Sequence, residues 1–196
     1  MRRVYEGLGV SQDLAFCELN PDGYDHIFIG EKRFDLPKGK ENLAARLKEY
    51  FPHEAAGIDG YLGTVSSMVE SLNALGRVRG LGQIPQAVEV LRWGMRTGQD
   101  LIERHVSDPV LQGVLAGQSG DHGLPPSQVS AFVHAGVAEH YFEGGYYPLG
   151  GGFAIPRAFV RALKRAGGEI RLNTSVAQIV LEGRRAVGVR LADGSE

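Results

Sequence analysis

Apolar residues recur at three- and four-residue intervals over a long central stretch of the chain. From Glu54 they fall at Ile58, Tyr61, Leu62, Val65, Met68, Val69, Leu72 and Leu75. That spacing predicts an amphipathic helix. Leu43 and Leu47 stand four apart in Asn42–Tyr50, which predicts a shorter helix ended by Phe51-Pro52. Further helices are predicted over Pro85–Arg96, with Pro85 in its first turn, and over Gly98–Val106 and Pro109–Ala116. Pro126–Tyr141 is also read as a helix, with Val129, Phe132, Val133 and Val137 on one side.

The two ends carry a different pattern. Leu14–Leu19, Tyr24–Ile29 and Arg33–Pro37 are short apolar or alternating runs separated by Asn20-Pro21-Asp22-Gly23 and Gly30-Glu31-Lys32. Three strands with tight turns predict a β-meander in the first forty residues. Near the other end Ile155, Phe159 and Leu163 mark a helix over Arg157–Ala166, stopped by Gly167-Gly168. Ile170 and Leu172 alternate as in a strand, and Glu182–Arg185 turns a hairpin between Val176–Leu181 and Ala186–Leu191. Ala192-Asp193-Gly194 is one more turn signal, which predicts a further strand and a truncated domain.

Composition narrows the function classes. The chain has 196 residues, 43% apolar and 22% charged, and a formal charge of −2. It is long enough for a real core, and it lacks the basic footprint of a nucleic-acid binder. Cys17 is the single cysteine, so neither an internal disulfide nor a cysteine-built zinc site can form. No apolar run reaches the ~20 residues that span a bilayer. A cytoplasmic location, with room for membrane association, is the expectation.

The search for chemistry is mostly negative. A dinucleotide fingerprint needs a third glycine three residues after the second, but Gln12 follows Gly7-Leu8-Gly9, Pro85 follows Gly80-Leu81-Gly82, and Ile155 follows Gly150-Gly151-Gly152. There is no P-loop and no His-Glu-x-x-His. Gly117-Gln118-Ser119-Gly120-Asp121 approaches a hydrolase elbow, with Asp121 in the place of its glycine and His122, His134 and His140 nearby. A polar loop is the blander reading of that segment. His134 and His140 are six apart on one helix and so do not share a face; no metal site is expected. Both suit structural roles, although His140-Tyr141 leads straight into the Gly144–Gly152 segment. Tyr146 and Tyr147 are packing aromatics or, beside a glycine turn that lets a flat ligand approach, stacking or gating groups.

One ordered series is more specific. It begins with Leu8-Gly9-Val10 and Asn20-Pro21-Asp22-Gly23, then Phe34-Asp35-Leu36-Pro37-Lys38-Gly39, Leu47 and Tyr50-Phe51-Pro52. Gly120-Asp121-His122-Gly123-Leu124-Pro125-Pro126-Ser127, Phe132, His134-Ala135 and His140-Tyr141 follow. It closes with Tyr146-Tyr147-Pro148-Leu149-Gly150-Gly151-Gly152, the helix, Gly167-Gly168 and the strand and hairpin. The series resembles the central part of the flavin-dependent phytoene desaturase, carotenoid isomerase and retinol saturase family.

The resemblance implies an oxidoreductase that uses FAD to desaturate, saturate or isomerise an apolar polyene or isoprenoid substrate. It implies an α+β fold: a β-sheet substrate domain capped by helices over residues 1–150, then a helix–strand–hairpin portion of the FAD-binding domain over 151–196. Gly150, Gly151 and Gly152 would lie near the flavin ring, Val176 would present its backbone to the adenine, and His140, Tyr146 and Tyr147 would meet substrate. The Leu62–Leu75 and Pro85–Ile102 helices would wall the substrate chamber or only pack on the sheet. No catalytic residue is singled out. Without the glycine fingerprint the chain alone is expected to bind FAD weakly or not at all, to be inactive, and to self-associate through its last hairpin. The full enzyme would meet an apolar small molecule and have scope for peripheral membrane contact. The alternative is a stand-alone module for an apolar ligand or a protein partner, without flavin.

Overall fold

The computed structural model describes residues 2–75 and 88–195. The fold mixes helices with small antiparallel strand pairs, and among the described residues no sheet exceeds two strands. The chain divides into two units, Cys17–Tyr147 and the flanking pair Met1–Phe16 with Pro148–Glu196. Residues 1–16 thus group with residues 148–196.

In the first unit β2 (Asp25–Ile29) and β3 (Lys32–Leu36) form a hairpin in which Ile27 faces Phe34 and Ile29 faces Lys32. Gly30 opens its two-residue loop at φ 60°, the positive φ that glycine takes without strain. The expected three-strand meander does not form. Instead β1 (Phe16–Glu18) pairs with β4 (Tyr146–Pro148), a partner from the far end of the sequence.

Helices supply the core. α2 (Lys40–Tyr50) buries Leu43 and Leu47, and α3 (Ala55–Leu75) buries Ile58, Tyr61, Leu62, Val65 and Met68. α4 (Val88–Trp93) ends three residues earlier than predicted, and Pro85 lies outside the described residues. In α5 (Gly98–His105) Leu101 and Ile102 point inward, as do Leu111 and Val114 in α6 (Pro109–Leu115). α7 (Ala131–His140) starts five residues later than predicted, because the Ser130 side chain accepts the Phe132 N–H and caps it. Its buried face is Ala131, His134 and Ala135, while Val133 is exposed.

Glycine and a buried carboxylate fix how these helices meet. A side chain at Gly57 would run into the His105 carbonyl, and one at Gly60 into the His105 ring. Thr64, one turn further along, meets His105 Nε2 at 3.0 Å. The end of α5 therefore sits directly on the α3 backbone. Glu54, buried just before α3, accepts from the Ser107 N–H, the Ser107 hydroxyl and the Asp108 N–H, each at 2.7 Å. These bonds, led by the Ser107 hydroxyl, hold its carboxyl below the usual carboxylate range. Asp108 in turn caps α6 by accepting from Val110 and Leu111.

The flanking unit holds α1 (Arg2–Gly7), absent from the sequence reading, together with α8 (Ala154–Arg165) and a hairpin of β5 (Val176–Glu182) and β6 (Arg185–Leu191). Tyr5 stacks on Phe16 at 5.8 Å and meets Phe159 edge-on at 6.4 Å. Asp13 pairs with Arg161 and Arg165 at 2.9 and 2.6 Å. α8 ends as predicted: Gly167 has φ 79° and donates to Lys164 O, and Gly168 donates to Leu163 O, which is a Schellman closure. The alternating Ile170–Leu172 is not a strand, and no neighbouring strand pairs with it among the described residues.

Candidate functional site

The first group of expected site residues follows α7. His140 is its last residue, exposed, with its ring 5.7 Å from Tyr141. Tyr141 stacks nearly parallel on Tyr24 at 5.6 Å, and its hydroxyl bonds the Asp121 carboxylate, which pushes the phenol up to about 12. Gly144, at φ 84°, then lets the Lys38 stem lie against the backbone: a Cβ there would sit 3.0 Å from Lys38 Cδ. At Gly145 the same test meets Leu19 and Tyr24. These two glycines admit neighbouring side chains of the same unit.

Lys38 ends at Tyr146. Its ammonium donates to Glu18 Oε1 at 2.6 Å and to Tyr146 Oη at 3.0 Å, and Tyr146 donates to Glu18 Oε1 at 3.3 Å. The phenol is fixed at its tip while about half of the side chain stays exposed. Glu18 and Tyr146 together hold the Lys38 proton, raising its pKa well above the ordinary lysine value. Tyr147, next along the strand, is also exposed. The ring contact of His140 is with Tyr141, whereas Tyr146 is held by Lys38 and Glu18. The sequence reading missed Lys38 and Glu18 because their partners are distant in sequence.

The second group lies in the flanking unit. Pro148–Gly151 is a turn closed by the Gly151 N–H on Pro148 O at 3.0 Å, with Gly150 at φ 87° in its third position. Gly151 has φ 78°, and its carbonyl accepts from Ala154 as α8 begins. A Cβ at Gly151 or Gly152 would meet nothing within 4 Å, so the backbone there is open to a flat group. Val176 opens β5 opposite Leu191 and is exposed.

Two other readings resolve against catalysis. His134 is buried, bonds Tyr61 Oη through Nε2 at 2.8 Å, and has its pKa pushed down to about 4 by burial, so it is neutral at ordinary pH and structural. Ser119 Oγ and both ring nitrogens of His122 are shut from solvent with no partner. A serine nucleophile needs a bonded base, and none is in place. Of the α3 stripe, Ile58, Tyr61, Leu62, Val65 and Met68 lie in the core, and Leu72 is exposed. Among the described residues no cluster suits a metal ion, and no helix is long and apolar enough to cross a membrane.

Comparison with known proteins adds what geometry alone does not. No family model matches the chain. It is 27% identical over 180 residues to the all-trans-retinol 13,14-reductase of Rattus norvegicus, covering 85% of the chain and 29% of that protein. Against a chloroplastic prolycopene isomerase of Arabidopsis thaliana it is 29% identical over 171 residues, covering 80% and 28%. Its curated homologues are retinol reductases and prolycopene isomerases. This matches the resemblance drawn from the ordered motifs, at low identity over most of the chain. The chain spans less than a third of those relatives' length. Among solved structures, a Rab GDI from Plasmodium falciparum has the same fold, with a TM-score of 0.51 at 16% identity over 98% of this chain and 44% of that one.

Proposed function

We propose that this chain is the central, substrate-side portion of an FAD-dependent oxidoreductase acting on an apolar polyene by saturation, desaturation or isomerisation. The observation that carries the reading is the match to retinol reductases and prolycopene isomerases along 85% and 80% of the chain.

The residues suit the cofactor in one respect. At Gly150–Gly152 no Cβ stands between the backbone and a planar ring, and the turn geometry needs glycine at φ 87° and 78°. Gly150, Gly151 and Gly152 would hold the flavin ring by close backbone approach, and the exposed start of β5 at Val176 would offer main-chain groups to the adenine. Bound FAD would supply hydride acceptance or donation. The protein's own part is orientation and exclusion of water. Lys38 and Glu18 hold Tyr146 by its hydroxyl, so its ring keeps one orientation as a wall for an apolar substrate, and the exposed Tyr147 and His140 extend the same role. Without a glycine fingerprint of its own, the chain alone would not turn over substrate.

The test is the absorbance spectrum of the purified product of the complete reading frame, before and after denaturation. Released free FAD is the expected result. A colourless protein that takes up no added FAD would overturn the flavoenzyme reading and leave the flavin-free binding module.

A further inference from the structure

The turn between α4 and α5, which the proposed function does not use, carries a cleft lined by arginines. The short α4 helix ends at Trp93, and the chain turns through Gly94–Thr97 into α5. Arg92, Trp93, Arg96, Asp100 and Arg104 line a cleft of about 260 Å³ at this turn. The backbone fixes it: the Arg96 N–H donates to Trp93 O at 3.0 Å, and the Arg96 carbonyl accepts from the Ala131 N–H at 2.9 Å. Asp100 and Arg104 are four apart on α5 and so share a face.

The charges in the cleft are unbalanced. Asp100 is committed to the start of α5, where its Oδ2 accepts from the Thr97 N–H at 2.8 Å and the Thr97 hydroxyl at 2.9 Å. Arg92 makes one bond to Glu89 at 3.3 Å. Arg96 lies near enough to Asp100 to help hold its carboxyl below the usual range, without a direct ion pair among the described residues. Trp93 lines the cleft and is only 4% exposed, so its ring is a fixed wall rather than a mobile side chain.

We propose that this cleft binds a phosphate group, with the guanidiniums of Arg92, Arg96 and Arg104 as its ligands and the Trp93 indole as part of its wall. Three forks arriving from α4, from the turn and from α5 suit an oxyanion with three or more acceptor oxygens better than a planar carboxylate. The phosphate is either free or part of a lipid headgroup, and the exposed Leu91 and Met95, each next in sequence to a lining arginine, make the second source worth a separate arm.

Trp93 is the single tryptophan of the chain, so its emission reports on the site directly. The chain is titrated with inorganic phosphate against chloride at matched ionic strength. A saturable change in Trp93 emission with phosphate alone is expected, weakened about tenfold or more in R96Q/R104Q. Should the double variant fail to fold, R104Q alone, in the exposed last turn of α5, serves with calorimetry as the readout. Vesicles of phosphatidic acid, compared with phosphatidylcholine, identify the source: a response at about tenfold lower phosphate-group concentration than the free ion assigns the site to a headgroup, and otherwise to a soluble phosphate. Equal responses to phosphate and chloride, or a response unchanged by the arginine substitutions, would overturn the proposal.

Discussion

Helices α3 and α8 carry similar apolar stripes, yet they end in different surroundings. In α3, Ile58, Tyr61, Leu62, Val65 and Met68 are all sealed within the helical unit. In α8, Phe159 and Leu163 remain about 40% exposed and only Ala158 is fully buried. The hairpin that follows it in the chain behaves like α8, with Val176, Ile179, Leu181 and Val189 exposed. Local spacing tells where a helix forms; it does not tell what covers it. The helical unit finishes its own core, and the flanking unit keeps apolar faces open, as a surface does when it has a partner to meet.

The largest expected effect comes from closing the gap between α3 and α5. Gly57→Val drives a side chain into the His105 backbone carbonyl, which cannot yield as a side-chain tip would. A loss of about 3 kcal/mol or more is expected in a denaturant melt of the helical unit. Next, Leu62→Ala should cost about 2–5 kcal/mol as a core truncation. Ile179→Ala, an equal loss of side chain in the open hairpin, should stay within about 0.5 kcal/mol. Similar costs at the two sites would break the comparison between the units.

A further effect is expected from pH. The folded pKa of His134 is pushed down to about 4, while the unfolded chain titrates near 6.5. Between those values the unfolded state binds more protons, so this contribution is fully present above about 6.5 and declines as pH falls toward 4. Urea midpoints measured across that window should fall with pH, and His134→Gln should flatten the slope. The smallest effect is self-association of the chain through the open hairpin, read as a concentration-dependent rise in light scattering; a clean monomer at high concentration would mean that the exposed faces need no cover.

Much of the helical unit, and the end of α8 in the flanking unit, was legible because the signals are local. The α3 stripe, the Phe51-Pro52 break, Pro109 at the start of α6 and the Gly167-Gly168 stop each act within a few residues of the chain. The pairing of β1 with β4 was not, because nothing in Phe16–Glu18 names a partner near residue 146. For the same reason Tyr146 was singled out and Lys38 and Glu18 were not. The glycines were read as a group, but they divide. Gly144 and Gly145 make room for the protein's own side chains, whereas Gly151 and Gly152 leave open space. Ile170–Leu172 shows the opposite failure: the alternation of a strand is present without a strand beside it.

The most direct test of the account is hydrogen exchange of the complete reading frame's protein, with and without bound FAD, read peptide by peptide. Protection gained at residues 150–155 and 174–178, with 55–75 unchanged, is the expected result. Protection gained elsewhere, with the Gly150–Gly152 turn exchanging as before, would contradict the assignment of the open glycine backbone to the flavin.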